Sequence, residues 1–133
     1  VPVIAISVQA TIFVIATAVV GRARPDVPKL DPAPPTSSFP SGHQGASTAL
    51  YATFFLMATR IRRPWLRALV MTLCALAPIL VGYARMYRGM HHASDIAVGA
   101  ALGITSAVLA WRWLRRRGDG AASREIAPGG GRR

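Results

Sequence analysis

The sequence has little cysteine, little acid and little charge of any kind. Its single cysteine, Cys74, cannot form an internal disulfide bond and leaves no cysteine pair to hold a zinc finger. Charged residues make up 16% of the 133 residues and apolar types 52%. A disordered chain needs low hydrophobicity and high charge, so that class is excluded. The length allows one domain at most.

Acidic residues are so scarce that the chain is strongly basic. Five acids stand against 16 basic residues, for a net charge of +11. Such a balance is typical of proteins that bind nucleic acid, an anionic membrane face or an anionic substrate. A surface for nucleic acid needs basic residues grouped on one folded face. Here most of them lie at the ends of apolar blocks, which excludes nucleic acid as a partner and favours the membrane.

Four apolar blocks, separated by polar or proline-rich stretches, dominate the chain. The first has no ionisable side chain, and as a helix it would span about 30 Å, the thickness of a bilayer hydrocarbon core. The second carries Ser47, Thr48 and Thr53, so we expect its small polar face to pack against the other helices. We predict an all-α membrane helical bundle whose four transmembrane helices correspond to residues 1–20, 44–59, 65–83 and 96–114.

Two other interpretations of the apolar blocks were considered. A soluble bundle would show amphipathic helices with charged faces, whereas the first and fourth blocks are apolar all round. A signal peptide would explain the small residues Ala16-Thr17-Ala18, but no basic region precedes the first block. We expect instead that Val1 lies inside a longer protein.

The arginines predict an orientation in the membrane. Cytoplasmic loops carry an excess of arginine and lysine. Eleven arginines lie between the second and third blocks or at and beyond the end of the fourth. We therefore predict a protein integral to the plasma membrane, with a core over residues 1–117 and a disordered basic cytoplasmic tail over 118–133. The other side carries Arg22, Arg24, Lys29, Arg85 and Arg88.

The first loop on that other side, residues 21–43, contains six of the ten prolines and ends in Pro40-Ser41-Gly42-His43. Ser41 is a good helix N-cap, and Gly42 lets the backbone come close to a ligand. Free N–H groups at a helix start form an anion site. The plain alternative is a helix cap without further function.

The second loop, residues 84–95, contains two adjacent histidines and an aspartate. His91 and Asp95 are four residues apart and would share one face of a helix. A carboxylate on one imidazole nitrogen leaves the other free to attack. A capping Asp95 with two interfacial histidines is the alternative. A metal site would use His43, His91, His92 and Asp95, but adjacent histidines on a helix diverge by about 100°. We predict neither a metal nor a cofactor.

Together these segments resemble the type 2 phosphatidic acid phosphatase family, which shares a helical core with vanadium-dependent haloperoxidases. Arg24-Pro25 corresponds to the end of the family's first motif and residues 40–43 to its second motif, Pro-Ser-Gly-His. Arg85, His91 and Asp95 match the third motif at the family's spacing. The resemblance covers residues 1 to 114.

The chain departs from the family pattern at two positions. Thr17 stands where the family has a lysine, and Ala84 stands where it has a serine. In the family both side chains contact phosphate. Membrane members of the family usually have six helices, so the resemblance implies that two further helices precede Val1.

The resemblance implies a mechanism and a substrate class. His91 would attack phosphorus, Asp95 would orient it, and His43 would protonate the leaving oxygen. The substrate would be an amphiphilic phosphorylated lipid, either a lipid phosphate or an isoprenoid pyrophosphate, bound on the extracytoplasmic side. The resemblance assigns the phosphoryl oxygens to Arg24, Arg85, Ser41 and Gly42.

Two rival functions remain open at this point. A vanadate-dependent haloperoxidase would keep the fold, but those enzymes are soluble and this chain is apolar. A relative with an eroded site that only binds lipid or scaffolds partners is suggested by Thr17 and Ala84. The sequence does not identify the lipid substrate or the oligomeric state.

Overall fold

The architecture is four α-helices joined by loops. The structure, a computed structural model, describes residues 1–126, with side chains as far as Gly118, and contains no strand in that part of the chain. Each helix coincides with one of the apolar blocks, which confirms the predicted all-α bundle. The helices are α1, Pro2–Val20; α2, Gly42–Ala58; α3, Pro64–Tyr87; and α4, Ala93–Ile126.

Local sequence signals set most of the helix ends. Pro2 and Pro64 open α1 and α3, where the missing N–H costs no hydrogen bond. Gly21 ends α1 in the left-handed conformation at φ 57°. Ser41 caps α2 by accepting a hydrogen bond from the Gln44 N–H at 3.4 Å, as its sequence predicts.

Helix α2 lies at the centre and packs against the three other helices. Glycines on α4 make this contact close. A Cβ on Gly99 would lie 2.7 Å from the Ser41 carbonyl oxygen, and one on Gly103 would lie 2.6 Å from that of Gly45. Helices approach this closely in membranes through small residues. Gly99 and Gly103 therefore allow α4 to lie directly against the backbone of α2.

Three helices are long and apolar enough to cross a membrane: α1, α3 and the Ala93–Gly118 part of α4. Helix α2 has 17 residues and does not meet that criterion within the described chain. Its small polar face is buried instead, with Thr48 and Thr53 nearly inaccessible. The four helices therefore form a membrane bundle in which the other three helices cover α2, the helix that does not meet the criterion for a membrane span.

Helix α4 is longer than its apolar block. It continues to Ile126, so the described part of the segment predicted as disordered from residue 118 is helical. This extension contains the good helix formers Ala121, Ala122, Arg124 and Glu125 beside the poor ones Gly118, Asp119 and Gly120. Residues 127–133 of the predicted tail lie outside the described residues.

Both long loops lie at the same end of the bundle. Helices α1 and α3 end where α2 and α4 begin, and the Ser41 N–H donates to the Asp95 carbonyl at 3.1 Å. The arginine-rich ends lie at the other end, where the guanidinium groups of Arg60 and Arg117 stack on Trp111 and Trp113. The fold thereby brings all three histidines to one end.

Candidate active site

Direct contacts join the two loops. The Leu30 N–H donates to the Arg88 carbonyl at 3.4 Å, and Arg88 pairs with the carboxylate of Asp31. Nη1 of Arg24 donates to the Met90 carbonyl at 2.8 Å. The loops therefore form one polar surface that carries the residues predicted from the two motif regions.

His91 is buried, with 6% of its surface exposed, and its ring is fixed by the backbone. Nδ1 lies 2.7 Å from the Ser38 carbonyl oxygen. A carbonyl oxygen can only accept, so Nδ1 carries the proton and Nε2 has a free lone pair. The geometry gives His91 the tautomer that a nucleophile at Nε2 requires.

Asp95 does not make the contact with His91 that its spacing suggests. Its Oδ2 is 3.9 Å from His91 Nδ1, too far for a hydrogen bond, and accepts instead from the His92 N–H at 2.8 Å. The same oxygen is 3.3 Å from His92 Nδ1. Oδ1 pairs with Arg22 Nη1 at 2.8 Å. The start of α4 turns the carboxylate towards the helix end, so the predicted orienting bond is made by Ser38.

Arg24 and Arg85 are the basic groups available to an anion. Arg22 and Arg88 pair with carboxylates, whereas Arg24 and Arg85 make no ion pair among the described side chains. The Nε–H groups of Arg24 and Arg85 are buried and find no acceptor in that part of the chain. Burial, followed by the charge of Arg85, lowers the pKa of Arg24. Two neighbouring unpaired guanidinium groups are suited to binding a phosphoryl group.

His43 begins the first turn of α2, just before its apolar stretch, and its side chain is exposed. Desolvation by neighbouring atoms, followed by the charges of Arg85 and Arg24, lowers the pKa of His43. Burial is also the first cause that lowers the pKa of His91, and it outweighs the opposing effects of Ser38 and Asp95. The same two arginines act on both histidines, which places His43 and His91 around one charged centre.

Ser41 and Gly42 have packing roles beside any role in binding. Ser41 is completely buried, and its Oγ accepts the capping bond from Gln44. A Cβ on Gly42 would lie 2.9 Å from the ring of Phe13, so the glycine also allows the close contact with α1. The first N–H groups of α2 still have no acceptor within the helix. Contact of Ser41 or Gly42 with phosphate stays a prediction.

The two departures from the family pattern lie on helices. Thr17 is on α1, and its Oγ1 is buried without a hydrogen-bond partner in the described chain. Ala84 is exposed near the end of α3. Thr17 lacks the positive charge of the family's lysine, and Ala84 lacks the hydroxyl of the family's serine. Arg24 and Arg85 are therefore the candidate groups for binding an anion at this end of the bundle.

Two groups at the site were missed by the sequence reasoning. The Ser38 carbonyl gives no signal in a sequence, because every residue has one. Arg22 could have been noticed, since it precedes Arg24 in the same short run. Among the described residues no three His, Cys, Asp or Glu side chains come together as metal ligands.

An apolar groove lies in the bundle below the polar end. It has a volume of about 410 Å³ and opens between α3 and α4, with α2 as its floor. Gln44, next to His43, lines it together with Pro78, Ala100 and Ile104. The groove therefore begins close to the polar site and extends along the apolar part of the bundle.

Comparisons with known proteins agree with this geometry. A family model described as the PAP2 superfamily matches residues 2–119. A transmembrane PAP2-type phosphatidylglycerolphosphate phosphatase from Bacillus subtilis has a similar crystal structure, with TM-score 0.76 and 23% identity over 86% of this chain. LpxE from Aquifex aeolicus is similar with TM-score 0.68 and 24% identity over 84% of this chain. The chain spans 58% and 65% of the lengths of those two structures. No curated protein sequence matches it significantly.

Proposed function

Because the chain belongs to the PAP2 superfamily, we propose that it is an integral-membrane phosphatase acting on a lipid phosphate or an isoprenoid pyrophosphate. The observation that carries the proposal is the pair of unpaired guanidinium groups, Arg24 and Arg85, beside a histidine with a free Nε2. Phosphoryl transfer requires positioning and neutralisation of charge above all. These groups supply both.

The reaction proceeds in two displacements. In the first, the Nε2 lone pair of His91 forms a bond to phosphorus, and the bond from phosphorus to the leaving oxygen breaks. His43 gives its proton to that oxygen, so the lipid leaves as the alcohol or as the singly protonated monophosphate. In the second, water attacks the phosphohistidine and gives a proton to His43. The N–P bond breaks, and inorganic phosphate leaves.

Charge for the transition state comes from the arginines. Arg24 and Arg85 hold the phosphoryl oxygens through charge-assisted hydrogen bonds, and the start of α2 adds the N–H groups near Gly42. Donors already in place before the reaction cost no reorganisation during it. The proposed reaction therefore requires no metal, which EDTA tests directly.

The apolar groove supports an amphiphilic substrate. A phosphate held by the loops would place its hydrocarbon chain along α3 and α4, where Pro78, Ala100 and Ile104 line the groove. A hydrocarbon chain that moves from the bilayer into this groove stays in apolar surroundings, so the transfer has little cost. We therefore propose that the substrate is a long-chain phosphorylated lipid.

The distribution of arginines supports an orientation of the bundle in the membrane. The end opposite the loops carries the arginines around Trp111 and Trp113 and is proposed to face the cytoplasm. The site then faces the extracytoplasmic side. This suits a substrate whose phosphate has already crossed the membrane.

The test is phosphate release by purified protein in detergent with EDTA. The substrates are phosphatidate, phosphatidylglycerol phosphate and a polyprenyl pyrophosphate. We expect release from at least one, and acid-labile phosphate trapped on the wild type but not on His91→Gln. The matched control is His92→Gln, which changes the adjacent histidine and is expected to retain most activity. Loss in both variants to the same degree would contradict the assignment of His91.

A non-enzymatic relative is the second candidate, and it is favoured by Thr17 and Ala84. No charge stands at Thr17 and no hydroxyl at Ala84. The double variant Thr17→Lys, Ala84→Ser distinguishes the two functions. A gain in turnover from a measurable basal rate supports an enzyme, and inactivity of both forms on every substrate supports a lipid-binding or scaffolding role.

A further inference from the structure

The proposed reaction assigns no role to Arg22. Its Nη1 donates to the Asp95 carboxylate at 2.8 Å and to the Ser94 hydroxyl at 2.7 Å. The Asp95 side chain is completely buried, whereas the Arg22 side chain is 38% exposed. The guanidinium group therefore reaches from the surface to a buried carboxylate at the start of α4.

The backbone of Arg22 holds a second element of the site. Its carbonyl accepts from the Ser38 N–H at 2.8 Å, and its N–H donates to the Ser37 hydroxyl at 2.9 Å. The Ser38 hydroxyl donates in turn to the Ala23 carbonyl at 2.9 Å. These bonds fix the segment whose carbonyl receives the His91 Nδ1–H.

The two oxygens nearest to His91 Nδ1 thus share one support. The Ser38 carbonyl, at 2.7 Å, is held by the Arg22 backbone, and the Asp95 carboxylate, at 3.9 Å, is held by the Arg22 side chain. We propose that Arg22 is a positioning residue for His91, keeping its Nδ1–H on the Ser38 carbonyl and its Nε2 directed at phosphorus. This inference rests on the proposed phosphatase function.

A role in positioning differs measurably from a role in binding phosphate. A positioning residue affects the chemical step, so its loss lowers kcat and leaves KM nearly unchanged. A phosphate ligand also affects binding of the ground state, so its loss raises KM. The Arg22 Nη1 already donates to Asp95 and Ser94, which favours the first behaviour.

Arg22 also balances the charge of Asp95 near His91. The charged groups that face His91 are Asp95, Arg24 and Arg85, and the Asp95 charge raises the pKa of His91 against the effect of the other two. Removing Arg22 leaves that negative charge unbalanced and frees the carboxylate to turn towards Nδ1. Both changes raise the pKa of His91.

The kinetic test compares Arg22→Gln, Arg22→Lys and the control Lys29→Gln, which removes an exposed positive charge from the same loop. Misplacement of a reacting group by about 1 Å costs on the order of 10²-fold in rate. We expect kcat of Arg22→Gln to fall by about that factor with KM within about threefold, and Arg22→Lys to recover part of it. Unchanged kcat, or a rise in KM alone, would overturn the proposal.

A second measurement needs no turnover. The chain has three histidines, so protein labelled only at histidine gives three ring signals in NMR, assigned with His91→Gln. The His91 pKa is expected to rise in Arg22→Gln and to stay at the wild-type value in Lys29→Gln. An unmoved His91 pKa would overturn the positioning role. If the wild type releases no phosphate from any substrate, the proposed function fails, while this titration still decides the role of Arg22.

Discussion

The Nδ1 atom of His91 lies 2.7 Å from the main-chain carbonyl of Ser38, and the nearest carboxylate oxygen of Asp95 is 3.9 Å away. The imidazole is therefore oriented by a neutral backbone group, with the carboxylate beside it. This arrangement cannot be changed by mutating Ser38, because the carbonyl belongs to the backbone. It does predict a modest dependence of the reaction on the charge of Asp95.

The variant Asp95→Asn tests that dependence. Its amide oxygen can still accept from the His92 N–H, and the lost charge is one that Arg22 already balances. We expect kcat to fall by about tenfold, equivalent to about 1.4 kcal/mol, whereas His91→Gln falls to background. Steady-state phosphate release measures both. A loss in Asp95→Asn as complete as that in His91→Gln would mean that the carboxylate bonds directly to His91 during the reaction.

The pH dependence follows from the two histidines. His91 must be neutral to attack and His43 must be protonated to act as an acid, so kcat/KM follows a bell-shaped profile. Both pKa values lie below the ordinary value for histidine, which places the maximum on the acidic side of neutrality. Arg85→Gln removes a positive charge that lowers both values, so both limbs move to higher pH. Lys29→Gln is the control, and limbs that do not move in Arg85→Gln would contradict the shared charged centre.

The role of His43 as the acid predicts a dependence on the leaving group. An alkoxide needs a proton to leave, whereas an aryl oxide with a low pKa does not. In His43→Gln we expect turnover of an alkyl phosphate to fall by about 10²-fold or more, and that of p-nitrophenyl phosphate to fall much less. Parallel assays on the two substrates measure the difference. Equal losses would assign His43 to binding instead.

The groove between α3 and α4 predicts selectivity for chain length. Ala100 lines the groove, and its neighbour Ala101 is exposed and does not. We expect Ala100→Phe to lower kcat/KM for a long-chain substrate by about tenfold, or about 1.4 kcal/mol, and to leave a short water-soluble phosphate unaffected. Ala101→Phe should affect neither substrate. Equal effects on long and short substrates would argue against the groove as the site of the chain.

The close contact between α2 and α4 predicts that a larger side chain at Gly103 destabilises the folded protein. A Cβ on Gly103 would lie 2.6 Å from the Gly45 carbonyl and 2.8 Å from the Ala49 nitrogen. We expect Gly103→Ala to lower the free energy of unfolding by about 1–3 kcal/mol. Gly118→Ala is the matched control, because its Cβ meets nothing within 4 Å and alanine favours a helix. Thermal unfolding in detergent measures both, and an unchanged midpoint in Gly103→Ala would contradict the packing.

The sequence was sufficient for the helices, and the structure brings the residues predicted for the site to one end of the bundle. Apolar blocks of membrane length predicted α1, α3 and α4, and the small residues of α2 predicted its central place. Helix α4 continues past its apolar stretch to Ile126, because loss of apolar character does not by itself end a helix. Gly42 lies against the ring of Phe13 on α1, a contact between distant segments that a motif cannot show.

The relation between His91 and Asp95 shows a limit of spacing as a guide. Residues four apart on a helix share a face, but His91 precedes the first residue of α4, Ala93. Helical spacing therefore does not apply to it, and the carboxylate turns back to the His92 N–H. Backbone groups such as the Ser38 carbonyl become visible only when the loop conformation is known.

Arg24 lies in the loop between α1 and α2 and Arg85 in the last turn of α3, and the fold brings their like charges near each other without an ion pair to either among the described side chains. Two like charges held near each other repel, and a bound tetrahedral oxyanion would offset that repulsion. Inorganic phosphate and vanadate should thus raise the melting temperature of the protein as the logarithm of their concentration.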